Sequence, residues 1–433
     1  MALIVQKFGG DALGDKGKGK TADESDLAGA SLIIEKFQRV AKIALESQKK
    51  GNEVAVVVSA MGDATNRLLR MASALSPEPP ARELDMLMTT GEQQSIALLA
   101  IAVQALGGKS LSFTGPQVGI VTDQAHGRSR IKEINCERLR EVLSQGYIPI
   151  VAGFQGASEE FEITTLGRGG SDISAVALAA ALEADVCEFY KDVDGIFTTD
   201  PRVCGSAKKI DRISYDEMLE LASLGAGVLH SRSVEFAKNY NIPLHVRSFL
   251  HDEPGTLVTP EDEHMEDVVV SGVAFKRDES KISLIGVPDR PGVAARLFSA
   301  IGEADIVVDV IVQSVGHEKD INDISFTVGH DDYKRAVELT NRIAAEIGCN
   351  RVEVDESIAK VSVVGVGMKS HSKLASRMLE ALSAAGVNIQ MISTSEIKIT
   401  VVVDETEVDK AVVAVHKAFE DQSDFKTIDE TNK

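Results

Sequence analysis

Cysteine is scarce, positive charge is in deficit, and long apolar runs are missing. Each shortage removes a class of function. The four cysteines, Cys136, Cys187, Cys204 and Cys349, are scattered along the chain. They make neither a metal-ligand spacing nor the dense framework of a secreted disulfide scaffold, and they fit reduced thiols in cytosol. The histidines show no paired ligand spacing either, so no metal is assigned. Lysine and arginine number 46 against 66 aspartates and glutamates, a formal charge of −20. Such a surface repels phosphate backbones and anionic lipid, which argues against general nucleic-acid or membrane binding but leaves room for a local basic loop on a phosphate. No stretch approaches the ~20 apolar residues of a membrane-spanning helix. The longest candidate, 95–106, reads as a buried helix. The opening MALIVQKFGGD reaches Lys7 after only a few apolar residues, too few for a secretory signal. A cytoplasmic location is expected.

What is present is an ordinary globular composition, 44% hydrophobic and 26% charged, over 433 residues. That length exceeds what one core holds and predicts two to four domains. The first 260 or so residues alternate β-rich runs (Leu3–Phe8, Val54–Ser59, Ser110–Thr114, Ile148–Phe154, Val186–Lys191, Leu244–Ser248) with helical patterns (Ser31–Lys50, Gly91–Leu106, Ser171–Glu183, Tyr215–Leu224). Continuous apolar strands separated by helices predict an α/β fold, an open, mostly parallel sheet sandwiched by helices. Ligands then bind beyond the carboxyl ends of the strands, where the Gly-rich segments after Phe8, Ser59 and Thr114 fall.

After an acidic linker at 261–267 the sequence repeats itself. Segments 282–347 and 361–419 each read strand, helix, strand, strand, helix, the ferredoxin-like βαββαβ plan. The first copy ends in a strand at 351–355, whereas the second runs out into a polar tail. An orphan strand at 268–275 precedes the first copy, and we expect it to complete the second, one repeat lying inside the other. The expected domains are 1–262, 280–356, and 268–276 with 357–420.

Three segments concentrate polar groups where packing alone would call for apolar ones. Lys7-Phe-Gly-Gly10 closes the first strand, and its glycines let backbone N–H groups approach a ligand while the lysine supplies a charge for phosphate. Gly pairs are also ordinary turn punctuation. Thr164-Thr-Leu-Gly-Arg-Gly-Gly-Ser-Asp172 runs into an Ala-rich helix, an arrangement that binds anions. Ser171 and Asp172 also serve as helix caps, but capping does not account for Arg168 between glycines, a guanidinium suited to a carboxylate. Tyr190 to Arg202 carries Asp-Gly and Asp-Pro pairs that read as tight turns.

Together these segments resemble the aspartate kinases of the amino-acid kinase family, with a catalytic domain followed by two regulatory ACT domains. The resemblance runs from Met1 to about Phe419 through KFGG (7–10), VVSAMGDATN (57–66), ELDMLMTTGE (83–92), FTG (113–115), AGFQG (152–156), TTLGRGGSD (164–172), DVDGIFTTDPR (192–202), VPDRPG (287–292) and NIQMISTSEIK (388–398). It implies phosphoryl transfer from ATP to the β-carboxylate of L-aspartate, with Mg2+ held largely by the ATP phosphates. A carboxylate with a reference pKa near 4 is already ionised at neutral pH and needs no general base, so catalysis reduces to positioning two anions and neutralising charge. By the resemblance Lys7 stabilises the transferred group and Asp172 orients it. Arg168 and Glu92 hold the carboxylate and amine of aspartate, and Ser59, Thr65 and Ser171 line that pocket. Gly9, Gly10, Lys191, Asp192, Gly195, Phe197 and Arg202 match nucleotide-binding positions. In the ACT repeats Asp289, Gly292, Gln313 and Asp323, then Asn388 and Ile389, are the expected contacts for an amino-acid effector, lysine or threonine or both. The family pairs its ACT domains edge to edge, which implies a homodimer or a higher homo-oligomer.

The sequence departs from the family on the nucleotide side. KFGGTS becomes KFGG-Asp11-Ala12, TDVDG becomes Lys191-Asp-Val-Asp-Gly195, an aromatic hydroxyl gives way to Phe197, and the Lys of a GxKVLH-like segment is Gly227. Two like charges ~4 Å apart cost about 4 kcal/mol at an effective dielectric near 20, so Asp11 facing the triphosphate would weaken binding strongly. Lys191 stands as compensation for the lysine absent at Gly227. An insertion, Asp15 to Ala30, contains the P-loop pattern GxxxxGK[ST] at Gly14–Thr21, but it neither leaves a strand directly nor opens a helix. A Lys-rich flap over phosphates and a plain solvated loop remain the alternatives. Three functions are therefore open: a working aspartate kinase with a rebuilt phosphate cradle, a divergent paralogue acting on an aspartate-like acid, and a catalytically inactive ACT-domain sensor.

Overall fold

The computed structural model describes residues 1–14, 27–225, 227–261, 270–315, 320–369, 373–420 and 425. Contacts divide the chain into two compact units. One comprises Met1–Ile196, Lys209–Ala222 and Gly227–Asp262, and the other Phe197–Lys208, Ser223–Ala226 and Glu263–Lys433.

The first unit is built on an eight-stranded sheet in the order Arg212–Ser214, Thr256–Thr259, Leu244–Ser248, Val186–Lys191, Leu3–Phe8, Glu53–Val58, Ile148–Ala152, Ser110–Phe113. All pairs are parallel except Leu244–Ser248 with Thr256–Thr259. The central strands are rich in β-branched and other apolar residues and are buried on both faces, as a sheet covered by helices requires. On one face Phe8, Val54, Val56, Val58, Ile148 and Ile150 pack with Phe37, Val40, Leu99 and Val103 of the Leu27–Lys49 and Ala81–Ala105 helices. The Gly170–Leu182 helix is Ala-rich and buried over nearly its whole length. A second, four-stranded sheet, ordered Ile131–Ile134, Ile120–Thr122, Gln155–Ser158, Ile163–Thr165, carries the segment that leads to Arg168.

The second unit holds one antiparallel six-stranded sheet, ordered Val308–Val315, Ile321–Gly329, Gly272–Pro288, Arg351–Val364, Lys398–Asp404, Met391–Thr394. Its two central strands serve both repeats. Residues 281–285 pair with 351–355 beside the first repeat's helices, and 272–276 pair with 360–364 beside the second's. The strand before the first copy thus lies in the second copy's half of the sheet. The register breaks at 276–281, where Asp278 adopts a left-handed φ of 57°. Each half has its own core, Ile282, Leu297, Phe326 and Ile343 in one and Val361, Met378, Val401 and Val412 in the other.

At this junction the wholly buried Lys360 ammonium lies 3.0 Å from Glu279 and also pairs with Asp309. Removing one partner of such a pair strands the other charge out of water. Lys360→Ala is expected to destabilise this unit by about 3–5 kcal/mol in urea unfolding of the full chain, and Lys360→Met combined with Glu279→Leu to restore most of that loss. A double variant no more stable than the single one would contradict this account.

Candidate functional site

The site is assembled where parallel strands end. Lys7, next to last in Leu3–Phe8, and Lys191, last in Val186–Lys191, stand on one face of adjacent strands, since Lys7 is in register with Phe189. Onto that face comes the first turn of the Gly170–Leu182 helix with Asp172. Lys7 Nζ lies 2.5 Å from one carboxylate oxygen of Asp172 and Lys191 Nζ 3.3 Å from the other. Lys7 and Asp172 are only 4% and 7% exposed. Burial lowers the Lys7 pKa, and the charge of Asp172 opposes it. Burial pushes the Asp172 carboxyl up, but Lys191 and Lys7 outweigh that and bring it down to about 2. Two ammoniums around one carboxylate leave a surplus positive charge at the sheet's carboxyl edge, a seat for an anion.

Close backbone packing surrounds this centre. After Lys7 and Phe8 the chain turns at Gly9 into a single helical turn, Gly10–Leu13. A Cβ on Gly10 would stand 2.6 Å from the Ala60 carbonyl oxygen, so only glycine fits. Gly62 N–H donates to Gly10 O at 3.0 Å, and Ser59 N–H to Phe8 O at 3.2 Å. Ala60 N–H in turn donates to Glu92 Oε1 at 3.0 Å. Glu92 is 3% exposed, and its other oxygen has no hydrogen-bond partner. Burial raises its pKa to about 7, against the pull of the Ala60 N–H, its own backbone N–H and the charge of Lys7.

The structure thus brings together Lys7, Gly9, Gly10, Ser59, Glu92, Asp172 and Lys191. Ser171 is buried beside Gly153, where a Cβ would meet its side chain at 2.7 Å. Thr65 is half-buried in the first turn of the Ala64–Leu75 helix. Arg168 is exposed between Gly167 and Gly169, both left-handed, and its guanidinium has no hydrogen-bond or ion-pair partner among the described residues. His230 packs over Gly169, where a Cβ would sit 2.4 Å from the imidazole. Asp192 is exposed, and Gly195 is buried against Thr256. Phe197 and Arg202 belong to the other unit, where Arg202 is tied to Asp200 at 2.6 Å. Asp11 is half-buried in the Gly10–Leu13 turn, and Lys36 clasps its carbonyl and that of Gly14 at 3.2 and 2.9 Å. Gly227 is exposed. Beyond Gly14, the P-loop-like stretch and the insertion up to Asp26 lie outside the described residues.

In the repeat unit a cavity of about 320 Å³ is lined by Asp289, Gly292, Gln313 and Asn322, among others. Asp323, expected there, does not line it. Successive strand side chains point to opposite faces, and Asp323 accepts from Gly286 N–H at 2.9 Å. Its neighbour Asn322 faces the cavity instead and donates to Asp289 at 2.8 Å. Asn388 borders a second cavity of about 390 Å³ with Gln390, Asp404, Thr406 and Glu407. Ile389 packs against the repeat core.

Residues 2–248 match the model of the amino acid kinase family, and residues 282–342 and 361–419 match that of the ACT domain. The Mycolicibacterium smegmatis aspartokinase is 49% identical over 423 residues, 97% of this chain and 96% of that protein. The chain belongs to the aspartokinase family. Two solved structures of E. coli aspartokinase III are similar to it at 25% identity. One, in complex with aspartate and ADP, has a TM-score of 0.78 over 96% of this chain and 100% of that one. The other, in complex with lysine and aspartate, has a TM-score of 0.71 over 96% and 99%. The fold is thus an amino-acid kinase sheet with ACT repeats, and the chain is an ATP-dependent kinase. No helix among the described residues is long and apolar enough to cross a membrane.

Sequence reasoning passed over one residue of this unit, Asp85. It is 2% exposed and seven residues ahead of Glu92 on the same face of the Ala81–Ala105 helix. The available signal was that spacing, two carboxylates two turns apart where an apolar stripe would otherwise run.

A carboxyl with a raised folded-state pKa stabilises the fold below its ordinary value and loses that contribution as the pH climbs. For Glu92 the loss runs between its ordinary value of 4.5 and about 7. Glu92→Gln is expected to gain on the order of 3 kcal/mol over the parent at pH 8 and nothing at pH 4, measured by denaturant unfolding across pH. An equal effect at both pH values would disprove the assignment.

Proposed function

We propose that this chain transfers the γ-phosphoryl group of ATP to the β-carboxylate of L-aspartate, under feedback by lysine, threonine or both. The observation that carries this reading is the buried Asp172 with its two lysines, whose surplus charge suits a reaction in which two anions must meet. An oxygen of the already ionised β-carboxylate attacks the γ-phosphorus, the bond to the β,γ-bridging oxygen breaks, and ADP leaves without any proton transfer. Lys7 neutralises charge on the transferred group. Asp172 pairs with both lysines and aims them, and Lys191 reaches the phosphates. Arg168 takes the α-carboxylate, and the unpartnered oxygen of Glu92 takes the ammonium, with Ser59, Thr65 and Ser171 completing the pocket. Gly9, Gly10, Asp192 and Gly195 border the nucleotide, with Phe197 and Arg202 on the loop that follows. Mg2+ enters on the ATP phosphates and supplies charge neutralisation there.

The reading divides the chain into a kinase domain at 1–262, one ACT domain at 280–356 and another made of 268–276 with 357–420. It takes the protein as a cytoplasmic homodimer or higher homo-oligomer assembled through those repeats. Asp289, Gly292 and Gln313, with Asn388 in the second repeat, hold the effector.

The deciding experiment measures ADP release from MgATP with and without L-aspartate, trapping acyl phosphate with hydroxylamine. Aspartate-dependent turnover with hydroxamate formation, reduced by millimolar lysine plus threonine, is expected. Turnover only with another acid, or none at all, would refute the assignment. Glu92→Gln is expected to lower kcat/KM for aspartate by about 100-fold or more, since it removes a buried charged partner.

Lys191→Ala is expected to raise the KM for ATP by about tenfold while leaving that for aspartate nearly unchanged. An unaltered ATP KM would remove Lys191 from the phosphate site.

A further inference from the structure

We infer that Asp85 is a positioning residue for the substrate-carboxylate side of the site, fixing the loop that presents Arg168. The inference rests on the aspartate reading above. Asp85 lies on the Ala81–Ala105 helix and accepts hydrogen bonds from two separate chain segments. From one, Gly127 N–H donates to both of its oxygens at 3.1 Å, and His126 Nδ1 lies at 2.8 Å. From the other, the Thr165 hydroxyl donates at 2.6 Å and the Thr165 N–H at 3.2 Å. A carboxylate buried to 2% exposure is costly to keep unless such donors surround it. Packing alone would be served as well by an apolar residue.

Thr165 is the last residue of its strand, three before Arg168. The loop beyond it has few other holds. Leu166 donates from its N–H to Phe154 O at 2.9 Å and accepts from Arg232 at 3.0 Å. Gly170 N–H closes the turn onto Gly167 O at 2.9 Å. A Cβ on Gly167 would stand 3.0 Å from Gly127 O, so the second segment held by Asp85 forms the wall against which the loop turns. Asp85 therefore sets both the root and the wall of the Arg168 loop. The same helix carries Glu92 two turns on, so one rigid rod fixes the distance between the groups proposed for the substrate's α-carboxylate and ammonium.

The test compares Thr165→Val, Thr165→Ser and Asp85→Asn in the full chain, by steady-state kinetics with both substrates and by amide exchange of residues 163–169. Thr165→Val is expected to raise the KM for aspartate about tenfold, with the ATP KM and kcat within about twofold, since one buried hydrogen bond to a charged group is lost. Thr165→Ser keeps the hydroxyl and should restore the parent KM. Asp85→Asn should exceed Thr165→Val, and exchange at 163–169 should quicken in both but not in Thr165→Ser. A parent-like aspartate KM and parent-like exchange in Thr165→Val would overturn the inference, as would a fall in kcat with both KM values unchanged. Should Asp85→Asn fail to fold, the Thr165 pair decides alone. Absence of aspartate turnover in the parent would instead refute the substrate reading, and the exchange comparison would still decide whether the clamp exists.

Discussion

One buried carboxylate between two ammoniums constrains everything else at the kinase site. Asp172 can be buried and ionised only because Lys7 and Lys191 outweigh the cost of its burial. Lys7, in turn, has its pKa lowered by burial, and the charge of Asp172 opposes that shift. Each group therefore needs the others. Their meeting also requires two adjacent parallel strands to end together and a helix to begin there without a bulky residue in its way. The sheet register supplies the first condition, and Gly169 and Gly170 supply the second.

Asp85 and Glu92 are placed by a helical rod, and Lys7 and Lys191 by strand ends. On the Ala81–Ala105 helix, Asp85, Thr89, Glu92 and Ile96 form one buried stripe. Its polar members bond outward, Asp85 to two segments and Glu92 to the Ala60 turn, while the Thr89 carbonyl takes Gln155. The Ala60 turn then packs on Gly10, next to the strand that carries Lys7. Tight backbone contacts thus connect the Gly10 turn with the segment that holds Glu92. Where the family's pattern has a hydroxyl, Asp11 stands in a turn whose Asp11 and Gly14 carbonyls Lys36 holds.

Much of this was legible in the residues, for physical reasons that also mark where legibility ends. Strands such as Leu3–Phe8 and Val186–Lys191 are mostly apolar, and their bounds agree with those expected from sequence. The Ala81–Ala105 helix was expected only from Gly91 onward. Its first turns bury Asp85 and Thr89, and a periodicity argument assigns such residues to solvent. The short Arg212–Ser214 and Thr256–Thr259 strands carry too few residues to show a period. Asp323 was expected at the effector cavity from the family resemblance, but the pleat decides which of two neighbours faces a cavity, and a one-residue shift exchanges the faces. The Lys7–Asp172–Lys191 contact joins residues far apart in sequence, so the motifs could name its members but not their distances.

The departure with the widest consequence concerns connectivity. At Phe197 the chain leaves the kinase unit, and at Lys209 it returns. The intervening loop, which carries Arg202, packs among the ACT repeats. Thr198 O accepts from Val273 N–H at 2.7 Å, and its hydroxyl lies 2.8 Å from Nε2 of the buried His416 on the last helix. Cys204 lies 3.6 Å from the other imidazole nitrogen, and Ser206 donates to Glu420 at 2.8 Å. A loop held this way takes its conformation from the repeats, while its covalent root, Gly195-Ile196, is fixed in the kinase unit by Thr256. The conformation of this loop is thereby tied to the packing of the last helix, which carries His416 and Glu420.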